Sequence, residues 1–338
     1  MQQTRSMDSA PIDIERSGDA IAELMHRVLF EVKRVVVGQD HFLERVLVAM
    51  LAQGHLLVEG VPGLAKTLTV KTLARTIHGS FKRIQFTPDL VPADLVGTRI
   101  WNQRTGEFAT SLCPVFANLL LADEINRAPA KVQSALLEAM QERQITVGGQ
   151  TRALPELFMV MATQNPIEQA GTYPLPEAQL DRFMLHVSLD YPAEDEEREI
   201  LRRDQAALRS ERPAAPLPVL DVAGVLAARR DVHQVHLADA VEAYVVSLVR
   251  ATRRPGDWRA DWVNAVEVGA SPRASLALAH ASAAWAYLQG RDYVTPDDVR
   301  EIAPDVLRHR LTLSLEAHLQ QLDRDALIAG LIDAVPAP

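Results

Sequence analysis

The chain carries one cysteine, Cys113, in 338 residues. No intrachain disulfide can form, a lone thiol cannot build a metal site, and a reducing compartment is the simplest reading. Aromatic residues are scarce, at 5%. Basic charge is not in excess: 35 lysines and arginines stand against 44 acidic residues, a formal net charge of -9. That balance counts against a surface built to neutralise phosphates, the interaction that drives nucleic-acid binding. Long apolar runs are missing too. Stretches such as Phe158–Ala162 fall far short of the ~20 residues a membrane span needs, and Met1 to Arg16 lack a signal-peptide core. The expectation is a soluble, cytoplasmic protein with no membrane span.

What is present has ordinary globular composition, 48% hydrophobic and 23% charged, and a length that suggests two domains. Met1–Asp19 read as a loose polar tail. Helical spacing follows at Ile21, Leu24, Val28 and Leu29, then at Phe42, Leu43, Val46, Leu47 and Met50. Four short apolar runs read as buried strands: His55–Glu59, Asn118–Ala122, Leu157–Ala162 and Met184–Leu189. Amphipathic helices separate them, one carrying Val70, Leu73, Ala74 and Ile77, another opening at Pro129. This alternation predicts an α/β fold with a parallel sheet covered on both faces. Two stretches interrupt it. Gln85–Phe108 is rich in turn residues, including Arg104-Thr105-Gly106, and Ile145–Leu154 holds Gly148-Gly149, a hairpin signal. After Tyr191-Pro192 the character changes. Ala193–Ser210 reads as a charged helix, Glu211–Pro218 has three prolines in eight residues, and the remainder reads as wholly helical.

The strongest motif is Gly60-Val61-Pro62-Gly63-Leu64-Ala65-Lys66-Thr67, placed after a predicted strand and before a predicted helix. Backbone N–H groups there can wrap a polyphosphate, aided by the helix dipole. Lys66 would neutralise the outer phosphates, and the Thr67 hydroxyl would ligate magnesium. Ala65 stands where a second glycine is usual. Alanine keeps the N–H donor but resists positive φ, at about 1–2 kcal/mol. The alternative is a glycine-proline turn ahead of an amphipathic helix. Asp123-Glu124 closes the second buried strand, where ligands sit in doubly wound sheets. Asp123 could hold the magnesium through water, and Glu124 could act as general base on the attacking water. Capping of the next turn is the bland alternative. Asn165, after the third strand, can bond a γ-phosphate or water, or serve as a turn former before Pro166. Arg182 can stabilise transition-state charge, or form a surface pair with Asp181 or Glu177. Ser271-Pro272-Arg273 puts a cation at a helix N-terminus, a disfavoured place unless an anion is near. Arg250, Arg253, Arg254 and Arg259 read as a solvated basic face.

Taken together, Val37-Gly38-Gln39, Glu59–Thr67, Leu121–Pro129, Ala162–Pro166, Gly171–Phe183 and Thr295–Val299 resemble the MoxR family of AAA+ ATPases, across roughly Val28 to Leu313. The resemblance implies an AAA+ core with a central parallel sheet flanked by helices, over residues 21–192. An insert within helix 2 would span 85–108 and a hairpin 145–153. A linker at 193–218 and a small all-helical lid at 219–338 would follow a tail at 1–20. It implies ATP and Mg2+ as cofactors. Val37 and Gly38 would lie beside the adenine. Gly60, Val61, Pro62, Gly63, Leu64, Ala65, Lys66, Thr67 and Leu68 would bind phosphate, with Thr67 and Asp123 on the metal. Asp123 and Glu124 would be the Walker B pair, Asn165 sensor 1, Arg182 the arginine finger and Arg273 sensor 2. It further implies a ring homo-oligomer, typically hexameric, that pairs with a von Willebrand factor A domain protein to remodel or activate a client enzyme complex. Two rivals stand beside it: a nucleic-acid-dependent AAA+ motor, which the acidic balance disfavours, and a nucleotide-gated scaffold with little turnover.

Overall fold

The protein's structure, a computed structural model, describes residues 18–102, 107–111, 114–147, 149–165, 171–209 and 215–338. The expected tail as far as residue 17, the Arg104-Thr105-Gly106 turn, Cys113, Gly148 and Pro166 lie outside these residues.

The central sheet forms where apolar runs allow burial on both faces. Its strands are β1 (Leu56–Glu59), β2 (Phe81–Gln85), β5 (Leu119–Asp123), β8 (Met159–Gln164) and β9 (Leu185–Ser188), in the spatial order β2-β5-β8-β1-β9. Every pairing is parallel. Side chains alternate across the sheet with the period of two that strands impose. Leu56, Val58, Leu121, Met161, Leu185 and Val187 enter one apolar cluster. Leu57, Leu120, Ala122, Val160 and Ala162 enter the other. Helices α1 (Gly18–Lys33), α2 (Asp40–Leu51) and α3 (Lys66–Thr76) cover the first face. Helix α5 (Ala130–Glu142) covers the second through Val132, Leu136 and Met140.

The four strands expected from apolar runs are present, shifted by up to two residues. The fifth, β2, is not foreseen from the sequence. It reads Phe-Lys-Arg-Ile-Gln, lies at the sheet edge, and buries only Ile84. Between β2 and β5 the chain forms short helix α4 (Pro92–Val96) and an antiparallel hairpin of β3 (Thr98–Asn102) and β4 (Glu107–Ser111). A second hairpin, β6 (Gln144–Val147) with β7 (Gln150–Ala153), turns at Gly149, whose φ of 80° suits glycine.

Helices α6 (Glu177–Leu180) and α7 (Glu194–Arg209) bury no residue. Beyond them come α8 (Val222–Val232), α9 (Asp239–Ala251), α10 (Pro272–Leu288), α11 (Pro296–Leu307), α12 (Leu315–Leu319) and α13 (Arg324–Ala334). This region is not purely helical. Val266–Val268 (β10) and Thr312–Leu313 (β11) form a small antiparallel pair, too short to leave a period-two signal in the sequence.

The C-terminal helices share one continuous apolar cluster with α1–α3. Ionic contacts bolt the two together. Arg45 of α2, fully buried, donates through Nε to Asp305 Oδ2 of α11 at 2.6 Å and through Nη2 to Glu301 at 2.6 Å. His41 also pairs with Asp305, at 2.9 Å. Arg229 of α8 donates to the carbonyls of Met50 and Glu156, at 2.8 and 3.1 Å. The run Arg308-His309-Arg310 lies under the start of β9, bonding the carbonyls of His186, Phe183 and Met184.

Candidate functional site

Three neighbouring strands, β5, β8 and β1, end side by side. The sheet order therefore brings together the residues that follow them: Asp123 closes β5, Asn165 follows β8, and Gly60 follows β1. The Gly60 amide reaches the Gln164 carbonyl at 3.3 Å. Asn165 is buried, at 9% exposure.

The loop from Gly60 to Thr67 leaves β1 and turns into α3. Gly63 has φ 95° and Ala65 has φ 54°, so both take the left-handed region. The alanine pays the cost anticipated from its Cβ. Among the described residues, the amides of Gly63, Ala65, Lys66, Thr67 and Leu68 meet no acceptor. Unpaired donors at a helix N-terminus form a ready anion cradle. Lys66 Nζ donates to the Gly60 carbonyl at 2.6 Å, bridging the loop. Burial lowers its pKa, opposed by the Asp123 and Glu124 carboxylates nearby. Leu64 is buried under the loop, whereas Pro62, Gly63 and Leu68 are exposed.

Asp123 and Glu124 are held by a polar chain. Thr163 of β8 donates its hydroxyl to Asp123 Oδ1 at 2.6 Å, and the Thr163 hydroxyl oxygen in turn accepts from the Glu124 amide at 2.8 Å. Arg83 of β2 donates twice to Asp123 Oδ2, at 3.0 Å from Nε and 2.6 Å from Nη2. Gln85 Nε2 donates to Glu124 Oε2 at 2.8 Å, and Arg127 pairs with the same oxygen at 3.1 Å. Glu124 itself sits at φ 56°, a left-handed turn that lifts its side chain out of the strand direction.

The Val37-Gly38-Gln39 turn meets α7 through Gly38 and the chain leaving β9 through Gln39. Chain leaving β9 packs Leu189 against Gly60, and the Asp190 carbonyl accepts from Gln39 Nε2 at 3.0 Å. Gly38 has φ 67°, and a Cβ there would fall 2.6 Å from the Glu196 carboxyl carbon of α7. The backbone conformation favours glycine, whereas the Glu196 carboxylate, at the end of a flexible side chain, could give way to a Cβ.

Arg182 and Arg273 are elsewhere. They line one cleft of about 200 Å³ with His55, Met140, Gln141 and Asp181. His55 precedes β1 and Arg182 precedes β9, so the cleft lies at the opposite edge of the sheet from the loop. A four-residue strand alone separates the edges by roughly 10 Å. Neither arginine side chain has a hydrogen bond or ion pair among the described residues. Instead their neighbours are fixed. Ser271 caps α10 and donates to Asp181 Oδ2 at 2.8 Å, while Arg310 Nε holds Asp181 Oδ1 at 2.7 Å.

The structure thus gathers Lys66, Thr67, Asp123, Glu124 and Asn165 around one cradle and sets Arg182 and Arg273 apart as a pair. Sequence reading missed Arg83, Gln85, Thr163 and Arg127. Its available signal was the alternation of Phe81, Arg83 and Gln85 ahead of a turn-rich stretch.

A doubly wound sheet, a phosphate cradle with Lys66, and two carboxylates at an adjacent strand end define an AAA+ ATP hydrolase. Residues 55–185 match the ATPase family associated with various cellular activities, and residues 263–329 match an AAA lid domain. The chain is 50% identical over 315 residues to chaperone MoxR1 of Mycobacterium tuberculosis, covering 93% of this chain and 82% of that protein. It is 31% identical to protein MoxR of Methylorubrum extorquens, covering 96% and 99%. The crystal structure of a proposed ATPase from Cytophaga hutchinsonii superposes with a TM-score of 0.89 at 43% identity, covering 95% and 97%. The chain belongs to the MoxR family of AAA+ ATPases. Among the described residues, no helix is long and apolar enough to cross a membrane.

Proposed function

We propose that the chain hydrolyses Mg-ATP in a hexameric cytoplasmic ring, and that turnover remodels a client enzyme complex together with a von Willebrand factor A domain partner. The chaperone named among its relatives supports the client role. The observation that carries the catalytic part is the row of unpaired amides from Gly63 to Leu68 beside Lys66 and facing two carboxylates.

In this reading the amides and Lys66 hold the β- and γ-phosphates, with Val37 and Gly38 beside the adenine. Thr67 and Asp123 are the residues that would hold magnesium, a hydroxyl and a carboxylate suited to a hard cation, which supplies charge neutralisation between phosphates. Glu124 accepts the proton of the attacking water as its oxygen bonds to the γ-phosphorus and the bond to the ADP oxygen breaks. Asn165 orients that water. Arg182 and Arg273, unpaired and across the sheet, serve the nucleotide of the adjacent subunit.

The test is ATP binding and phosphate release by two variants. Lys66→Ala should lose binding. Glu124→Gln should bind ATP and turn it over at least about a hundredfold more slowly, as loss of a general base predicts. Wild-type turnover by Glu124→Gln sinks the assignment. An ATPase rate that rises with added DNA and falls with salt would favour the nucleic-acid motor. One phosphate released per subunit without steady turnover would favour the scaffold.

A further inference from the structure

The two carboxylates are already engaged, and by a strand with no part in the usual phosphate cradle. Arg83 and Gln85 project from the same side of β2, two residues apart, in register with Leu121 and Asp123 of β5. The Arg83 guanidinium makes two bonds to Asp123 Oδ2 and a third, at 2.7 Å, to Gln85 Oε1. Gln85 passes the contact on to Glu124. With Thr163 on the other oxygen, both oxygens of Asp123 accept hydrogen bonds from the chain. The Asp123 carbonyl is tied to the residue just after that strand, accepting from the Phe86 amide at 2.8 Å.

A carboxylate side-on to a guanidinium cannot offer that oxygen's charge to a second cation without loosening the first pair. Arg83 is about half exposed while Asp123 is largely covered, at 47% and 16% of side-chain surface. The arginine is therefore free to swing to solvent, and the aspartate is not. Its side chain supports no apolar packing, since of β2 only Ile84 is buried.

We propose that Arg83 is a positioning residue that competes with the divalent cation for Asp123, so that the Mg-ATP-bound form requires its guanidinium to leave. This rests on the Mg-ATP reading above. Arg83 thereby sets how strongly nucleotide binding depends on magnesium, and links that dependence to the strand leading into α4 and the β3–β4 hairpin.

The test is calorimetric titration of the full chain with ATP, once with magnesium and once with EDTA, giving a ratio of affinities. Arg83→Met and Arg83→Gln should each raise that ratio about two- to fivefold, the range expected for removing a partly exposed ion pair. Arg83→Lys, which keeps the charge but not the side-on geometry, should fall between. Arg83→Gln guards against misfolding by leaving a hydrogen-bonding side chain on the edge strand. A purely structural role would move the unfolding midpoint and leave the ratio alone. A ratio unchanged or lowered in the neutral variants overturns the proposal. Should the wild-type chain bind no ATP even with magnesium, it is the Mg-ATP reading that fails instead.

Discussion

Replacing Asp305 by alanine should cost the protein a large part of its stability. The carboxylate is 1% exposed in its side chain and joins Arg45, His41 and Arg308 at 2.6, 2.9 and 3.0 Å. Burial by itself would raise its pKa. The His41 hydrogen bond and the charges of His41 and Arg45 outweigh burial and bring it from 3.8 to about 2. At about 1.4 kcal/mol for each pKa unit, that depression corresponds to roughly 2 kcal/mol. The group is depressed, so this contribution is complete above pH 3.8 and is lost as pH falls toward about 2. Truncation does more than protonation, because buried Arg45 is left with only the half-exposed Glu301 as a charge partner. Breaking a buried pair on one side costs about 3–5 kcal/mol. Asp305→Ala should therefore lose about 3–5 kcal/mol in urea unfolding, near roughly 2–4 °C of melting temperature for each kcal/mol. The double variant Arg45→Met with Asp305→Leu removes both charges and should recover most of the loss. A single-variant cost below about 1 kcal/mol, or a double variant as weak as the sum of the singles, would refute the view that this pair bolts α2 to α11.

Other expectations follow from the same geometry. Burial, reinforced by the Arg143 charge, lowers the His55 pKa from 6.5 to about 3, and burial holds His309 well below its ordinary value. The native state stays neutral while the unfolded chain takes up protons, so stability should fall as pH drops below 6.5, by roughly 1 kcal/mol per pH unit from His55, with His309 acting in the same direction. A flat urea midpoint between about pH 6.5 and 4.5 would contradict this. Arg182→Ala should lose about a thousandfold in ATPase rate or more, and mixing it with Lys66→Ala protein should restore part of that rate. No recovery on mixing would place Arg182 outside any shared site. Ala65→Gly relieves a left-handed alanine worth about 1–2 kcal/mol but frees the unfolded chain by about 0.4–1 kcal/mol. A net gain near 0.5–1 kcal/mol should appear in denaturation, and a net loss would mean the Ala65 methyl group packs usefully.

The buried strands were legible because Leu56–Val58 and Leu119–Ala122 are apolar on both faces, a pattern that only a covered sheet tolerates. The phosphate loop was legible because its residues are contiguous and its chemistry is local. β2 was not: at the edge of the sheet, Lys82 and Arg83 cost nothing to expose, so hydrophobicity carries no sign of the strand. The partners of Asp123 and Glu124 were hidden for the same reason, since Arg83 and Gln85 acquire meaning only once β2 pairs with β5. Arg45 and Asp305 are 260 positions apart. No local pattern announces such a pair, and an arginine within an amphipathic helix reads as a solvated one until tertiary packing buries it.

Asp181 divides its two carboxylate oxygens between Ser271 and Arg310, so the segment bearing Arg182 and the helix bearing Arg273 are pinned to one anchor. The two cations therefore behave like the prongs of a single plug. Neither segment can shift far from the other unless that anchor is broken.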